Sequence, residues 1–173
     1  MRNSKVKGFT LIELIVVIAI IGVLAAILVP SMIGYVADSK MSTANSNAKL
    51  AFTNSATFCT KAETAGFPIV DQTGADAFDI IQDANTPATV PAITAQPDTN
   101  ELQEALRILM GSKNPTAGQV KVKITDSAVK AAAYSKTDSD KYTGGYPTEV
   151  QTEKTKDIGN TDIAKIEDGT INN

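Results

Sequence analysis

Residues 7–30 read KGFTLIELIVVIAIIGVLAAILVP. From Leu14 to Val29 every side chain is apolar except Gly22. Counted from Phe9 to Ile33, the segment as a helix spans about 37 Å, against a bilayer hydrocarbon core of roughly 30 Å. Arg2, Lys5 and Lys7 precede it with no acidic residue among them. Cations before an apolar span stay on the cytoplasmic side and send the rest of the chain outward. The chain from Ser135 onward is dominated by Thr, Asp, Lys, Asn and Gly.

A secretory signal peptide has the same basic start and apolar run, and Val23-Leu24-Ala25 resembles a small-residue cleavage site. Two residues fit that reading badly. Glu13 lies inside the apolar run, where a carboxylate at mid-bilayer depth costs roughly 2.5–3.5 kcal/mol unless it is paired or near the interface. Gly8, the flexible residue, stands before the run instead of after it.

Lys7-Gly8-Phe9-Thr10-Leu11-Ile12-Glu13-Leu14 resembles the cleavage motif of type IV prepilins and the related pseudopilins. The likeness is strong from Lys7 to about Pro30. It implies that a prepilin peptidase removes residues 1–8 by cutting between Gly8 and Phe9, and that the new amine of Phe9 is methylated. It implies further that residues 9–33 anchor the precursor in the cytoplasmic membrane and then pack in the core of a helical homo-oligomer, with Glu13 serving assembly. An assembly platform with its ATPase is the partner machinery so implied, and the cell surface the destination. The role expected is a structural filament subunit, for adhesion, twitching motility or DNA uptake. The alternatives are a pseudopilin of a type II secretion or competence apparatus, and a secreted or membrane-anchored protein with an ordinary signal peptide. Gly22 and Pro30 match helix-weakening positions of many pilins. An interior proline costs about 3 kcal/mol and a glycine about 1 kcal/mol, and Pro30 cannot donate to the Ala26 carbonyl. Either helicity is lost between them or the helix merely kinks.

Beyond the span, Ala37, Met41, Ala44, Ala48, Ala51, Ser55, Phe58 and Ala62 recur by fours and threes, one face of a long helix over residues 34–66. Ala65-Gly66-Phe67-Pro68 supplies a left-handed cap and a proline to end it. Residues 67–173 form the head. Pro87, Pro91 and Pro97 mark an irregular connection. A short helix follows, with Leu102, Leu106 and Leu109 on one face, Asn100 and Gln103 as capping box and Gly111 as stop. Val120 to Ile124 alternates as a half-buried strand whose lysines, Lys121 and Lys123, face solvent, and Val129 to Tyr134 is its antiparallel partner across Thr125 to Ala128. A third strand is expected from Tyr142–Val150 or Ile163–Ile166, because two strands alone are marginal. The fold class is α+β: a long N-terminal α-helix, its second half packed on a small antiparallel β-sheet.

Composition excludes several functions. There is no histidine, which removes Ser-His-Asp and Cys-His catalysis and the usual catalytic zinc sites. No catalytic residue, metal site or cofactor is expected, and no enzyme activity. Asp76, Asp79 and Asp83 on one helical face, or Asp138 with Asp140, read as solvated acidic groups, since neither has EF-hand spacing. Cys59 is the single cysteine, so no internal disulfide forms, and a buried, inert thiol is expected of it. Net charge is −3, and loss of Arg2, Lys5 and Lys7 leaves −6. A chain so acidic carries no strong nucleic-acid signal.

Overall fold

The computed structural model describes residues 8–69, 71–73, 78–80, 82, 87, 89–111, 117–137, 140–151, 158 and 161–172, with backbone alone for 71–73 and 78–79. The chain divides into two compact units, Met1–Ser39 and Lys40–Asn173, and the boundary falls within the first helix.

Helix α1 runs from Leu11 to Thr64. In the first unit its large apolar side chains stand exposed on every side, from Phe9 through Leu14, Ile21 and Leu28 to Val36. The helix passes through both Gly22 and Pro30 without interruption, so within a single chain neither residue ends it. Just past Pro30, the Ser31 hydroxyl donates to the Leu28 carbonyl at 2.8 Å.

In the second unit the same helix is one-sided. Met41, Ala44, Ala48, Ala51, Ser55, Phe58 and Ala62 are buried, as their spacing predicts, and Asn45 and Cys59 join them. The cap after Thr64 is glycine-dependent. Gly66 has φ 88°, its N–H donates to the Glu63 carbonyl and that of Phe67 to the Ala62 carbonyl. These two bonds form a Schellman motif, which satisfies carbonyls that the helix end leaves open.

The sheet is antiparallel. Strands β1 (Asp71–Thr73) and β2 (Phe78–Asp79) both pair with β3 (Gln119–Thr125), which pairs with β4 (Ala128–Ser135), which pairs with β5 (Thr143–Tyr146). The β3–β4 hairpin turns at Asp126 and Ser127, both with positive φ (51° and 59°), the two-residue geometry that matches strand twist. Ser127 is fixed there by two bonds from its N–H and hydroxyl to the Ile69 carbonyl. A register shift falls between Lys123 and Ile124. The third main strand is β5, within the first of the two expected stretches. Ile163–Ile166 instead lies in a short helix, α3 (Ile163–Asp168), capped by the Asp162 side chain.

One face of the sheet presents Val120, Val122, Ile124, Ala132 and Tyr134 to a core shared with α1 and with α2 (Thr99–Met110), which inserts Leu102, Ala105 and Leu106. The α2 capping box is Asp98 with Glu101, not Asn100 with Gln103. Asp98 accepts from the N–H groups of Asn100 and Glu101, and Glu101 accepts from the Asp98 N–H. The helix starts earlier than expected because a carboxylate one residue after Pro97 caps it more completely. Gly111 does end α2, in an extended conformation and not a left-handed one.

The opposite face of the sheet is covered, which corrects the reading of Lys121 and Lys123 as a solvated strand face. Ala131 and Ala133 form a second core there with Met41, Val150, Ile158, Ile163, Ile166 and Ile171. Lys121 is 9% exposed and its ammonium donates to the Thr161 carbonyl at 3.2 Å. Lys123 pairs with Glu167 at 2.6 Å. A lysine stem is four methylenes long, so it packs as apolar matter when its tip finds an acceptor. The Ala-rich β4 is a strand, and not a helix, because both of its faces are packed.

Candidate functional site

The groups singled out by the sequence lie at the start of α1. Residues 8–10 are not helical, so the Gly8–Phe9 bond lies ahead of the first helical residue, Leu11. Phe9 is 82% exposed, and a Cβ built on Gly8 would meet no atom within 4 Å. The bond is therefore uncrowded and free of helical hydrogen bonding, the condition a peptidase needs to bind an extended backbone.

Glu13 has a local partner that the sequence reading did not name. The Thr10 N–H and hydroxyl both donate to its Oε2, at 2.8 and 2.7 Å, and the Glu13 N–H approaches Thr10 Oγ1 at 3.4 Å. Thr10 and Glu13 thus form the reciprocal capping box of α1. The signal was present as a threonine followed three residues later by glutamate. Glu13 consequently has a structural role within one chain as well as any role between chains. Gly8, Phe9 and Glu13 lie within six residues of chain, whereas Gly22 and Pro30 lie further along the helix. A Cβ at Gly22 would meet nothing within 4 Å, so nothing inside the chain requires glycine there.

Among the described residues no three acidic or cysteine side chains converge as metal donors. Asp76, Asp83 and Asp138 lie outside the described residues, as does the side chain of Asp79. Asp140 accepts the N–H of Tyr142 at 3.1 Å, a turn contact. Cys59 is buried, and burial pushes its thiol up to about 11. At about pH 8 it is neutral as well as shielded, and only the thiolate is reactive. Native protein should therefore resist maleimide over the time in which unfolded protein labels fully, read by the mass of the adduct.

In the second unit, Asn45 is the buried polar residue of most consequence. Its Oδ1 accepts from the N–H groups of Gly145 and Val150, at 2.9 and 3.1 Å, and its Nδ2 donates to the Val150 carbonyl at 2.9 Å. Next to it, Gly144 lies against the backbone of Ala44 and Asn45, where any Cβ would overlap. One helix side chain therefore holds β5 and the segment after it, work that no disulfide can do in a chain with one cysteine.

The α+β unit is built on the second half of α1, and the first half of that helix is apolar on all sides. Among the described residues α1 is the one helix long and apolar enough to cross a membrane. The family model for the prokaryotic N-terminal methylation motif matches residues 3–29. The chain is 50% identical over 56 residues to the type IV major pilin protein PilA of Myxococcus xanthus, covering 32% of this chain and 26% of that protein. It is 40% identical over 90 residues to the type IV major fimbrial protein FimA of Dichelobacter nodosus, covering 52% of this chain and 58% of that one. Fimbrial protein EcpC of Eikenella corrodens is 68% identical over 44 residues, 25% of this chain and 29% of its own. The chain thus matches less than two thirds of the length of each of these relatives. No solved structure matches it. Its N-terminal segment is thus similar to that of type IV pilins and fimbrial proteins.

Proposed function

We propose that this chain is a structural subunit of a type IV pilus-like surface filament and not an enzyme. The observation that carries the reading is the exposed apolar half of α1, headed by the methylation motif. Each apolar side chain buried from water contributes roughly 1.5–3 kcal/mol. Side chains exposed all round a helix are satisfied only by lipid or by other helices, and the first setting converts into the second when subunits leave the membrane for a filament. A prepilin peptidase, an assembly platform and its ATPase are the partners this route requires. The cytoplasmic membrane holds the precursor and the cell surface the product.

Neither alternative gains support. The relatives named above are pilins or fimbrial proteins. An ordinary signal-peptide cut after Ala25 would fall inside α1, which continues to Thr64.

Electron microscopy of sheared surface material, with intact-mass measurement of its subunits, tests the proposal. The expected mass is that of a chain beginning at Phe9 with a methylated amine. A chain beginning at Ala26 would establish the signal-peptide reading instead. Gly8 replaced by a bulky residue should leave full-length precursor in the membrane fraction.

A further inference from the structure

We infer that, in the membrane-held form which the filament reading above requires, Glu13 and Tyr35 lie at the two faces of the bilayer, and that Tyr35 fixes the depth of α1 by lodging its ring among lipid headgroups. The stretch between these two residues has the length and chemistry of a single crossing. Residues 14–34 as a helix rise about 31 Å, against a hydrocarbon core of roughly 30 Å. Ser31 is the one polar side chain among them. Its hydroxyl already donates to the Leu28 carbonyl at 2.8 Å, so it needs no partner in lipid. The wider stretch, residues 9–33, is longer than the core and places Glu13 inside it. Moving the crossing to residues 14–34 takes the carboxylate out of hydrocarbon, where its charge is costly.

Both ends carry groups suited to a boundary. Tyr35 is 81% exposed and is the one aromatic residue between Phe9 and Phe52. A tyrosine ring is apolar with a polar tip, a combination that settles at the headgroup level. Exposed charge resumes just beyond it, at Asp38 and Lys40. At the other end, the Thr10 N–H and hydroxyl hold the Glu13 carboxylate back toward the N-terminus, away from the apolar run and toward water. Phe9 lies about 6 Å further out along the axis, so the Gly8–Phe9 bond emerges among headgroups and not in hydrocarbon. Glu13 therefore stays solvated as long as the chain is in the membrane, and it meets a dry environment only on leaving it.

Cysteine accessibility tests the placement, in the full-length chain expressed without assembly machinery so that it stays in the bilayer; Cys59 is buried and adds little background. The probe is a membrane-impermeant maleimide, which labels a thiol in water or among headgroups and not in hydrocarbon. Leu11→Cys should label in inverted vesicles, Val36→Cys in spheroplasts, and Ile18→Cys in neither. Tyr35→Leu lengthens the apolar stretch to Ala37, about 36 Å as a helix. The helix then tilts until Asp38 marks its end, and Val36→Cys loses its labelling. Tyr35→Trp keeps an amphipathic ring and should keep the labelling. Protection of Leu11→Cys, or labelling of Ile18→Cys, would overturn the crossing at residues 14–34. Labelling of Val36→Cys that survives Tyr35→Leu, or that is lost in Tyr35→Trp, would overturn the role of Tyr35. Either result with the chain in the membrane fraction leaves the filament reading standing, whereas a chain absent from that fraction removes both.

Discussion

Glu13→Leu is expected to be processed and inserted into the membrane normally, yet to enter filaments poorly. Removing the carboxylate takes a charge out of an apolar run, which favours insertion. The proposed cleavage, however, would leave an ammonium on Phe9, four residues before Glu13 in the same chain or facing the Glu13 of a neighbour. Stripped of its partner in a low-dielectric core, that ammonium typically costs about 3–5 kcal/mol, repeated at every subunit added. The capping box with Thr10 adds a second contribution, and Glu13→Gln separates the two. Glutamine serves a capping box but carries no charge. If charge is what assembly needs, the Gln variant fails with the Leu variant. Rescue by Gln would assign Glu13 to helix capping instead. Yield of sheared filaments, with cleavage verified by mass, is the measurement, and wild-type yield from Glu13→Leu as sole subunit would remove Glu13 from the assembly contact.

Asn45→Leu should destabilise the head severely. It leaves the N–H groups of Gly145 and Val150 and the Val150 carbonyl buried without partners. Each orphaned group costs about 1–3 kcal/mol. A thermal midpoint lower by roughly 10 °C or more is expected. Asn45→Asp keeps the acceptor for both N–H groups but sets a buried carboxylate oxygen against the Val150 carbonyl, so its midpoint should also fall at neutral pH.

Much of this was legible in the sequence because it rests on periodicity or on single special residues. The stripe from Met41 to Ala62, the left-handed cap at Gly66 and the β3–β4 hairpin all follow from local rules. What escaped were features in which a polar residue is used against its ordinary preference. Lys121 and Lys123 alternate with Val120, Val122 and Ile124, and alternation alone says that the lysines face away from the first core. It does not say what lies there. The cover is a segment some 40 residues later, whose irregular composition has no period to read. Asn45 has no local signal, because its three partners lie about 100 positions away. At the candidate site the order was reversed. The residues were found through their motif, while the physical work of Thr10 upon Glu13 emerged only from the geometry.

The covered rear face of the sheet has a consequence for the order of events during export. The middle strands lie between α1 and a cap made from the last dozen residues, including Ile163, Ile166 and Ile171. Non-local pairings of this kind close slowly, because a long loop must be brought in before any contact repays it. On the proposed route the N-terminus stays behind and the head crosses in chain order after α1, so the second core cannot close until Ile163, Ile166 and Ile171 have crossed. Until then Ala131, Ala133 and the stem of Lys121 remain uncovered. On that route a half-exported head exposes apolar surface, and α1 held in the membrane would keep it from meeting other chains until Ile163, Ile166 and Ile171 seal it.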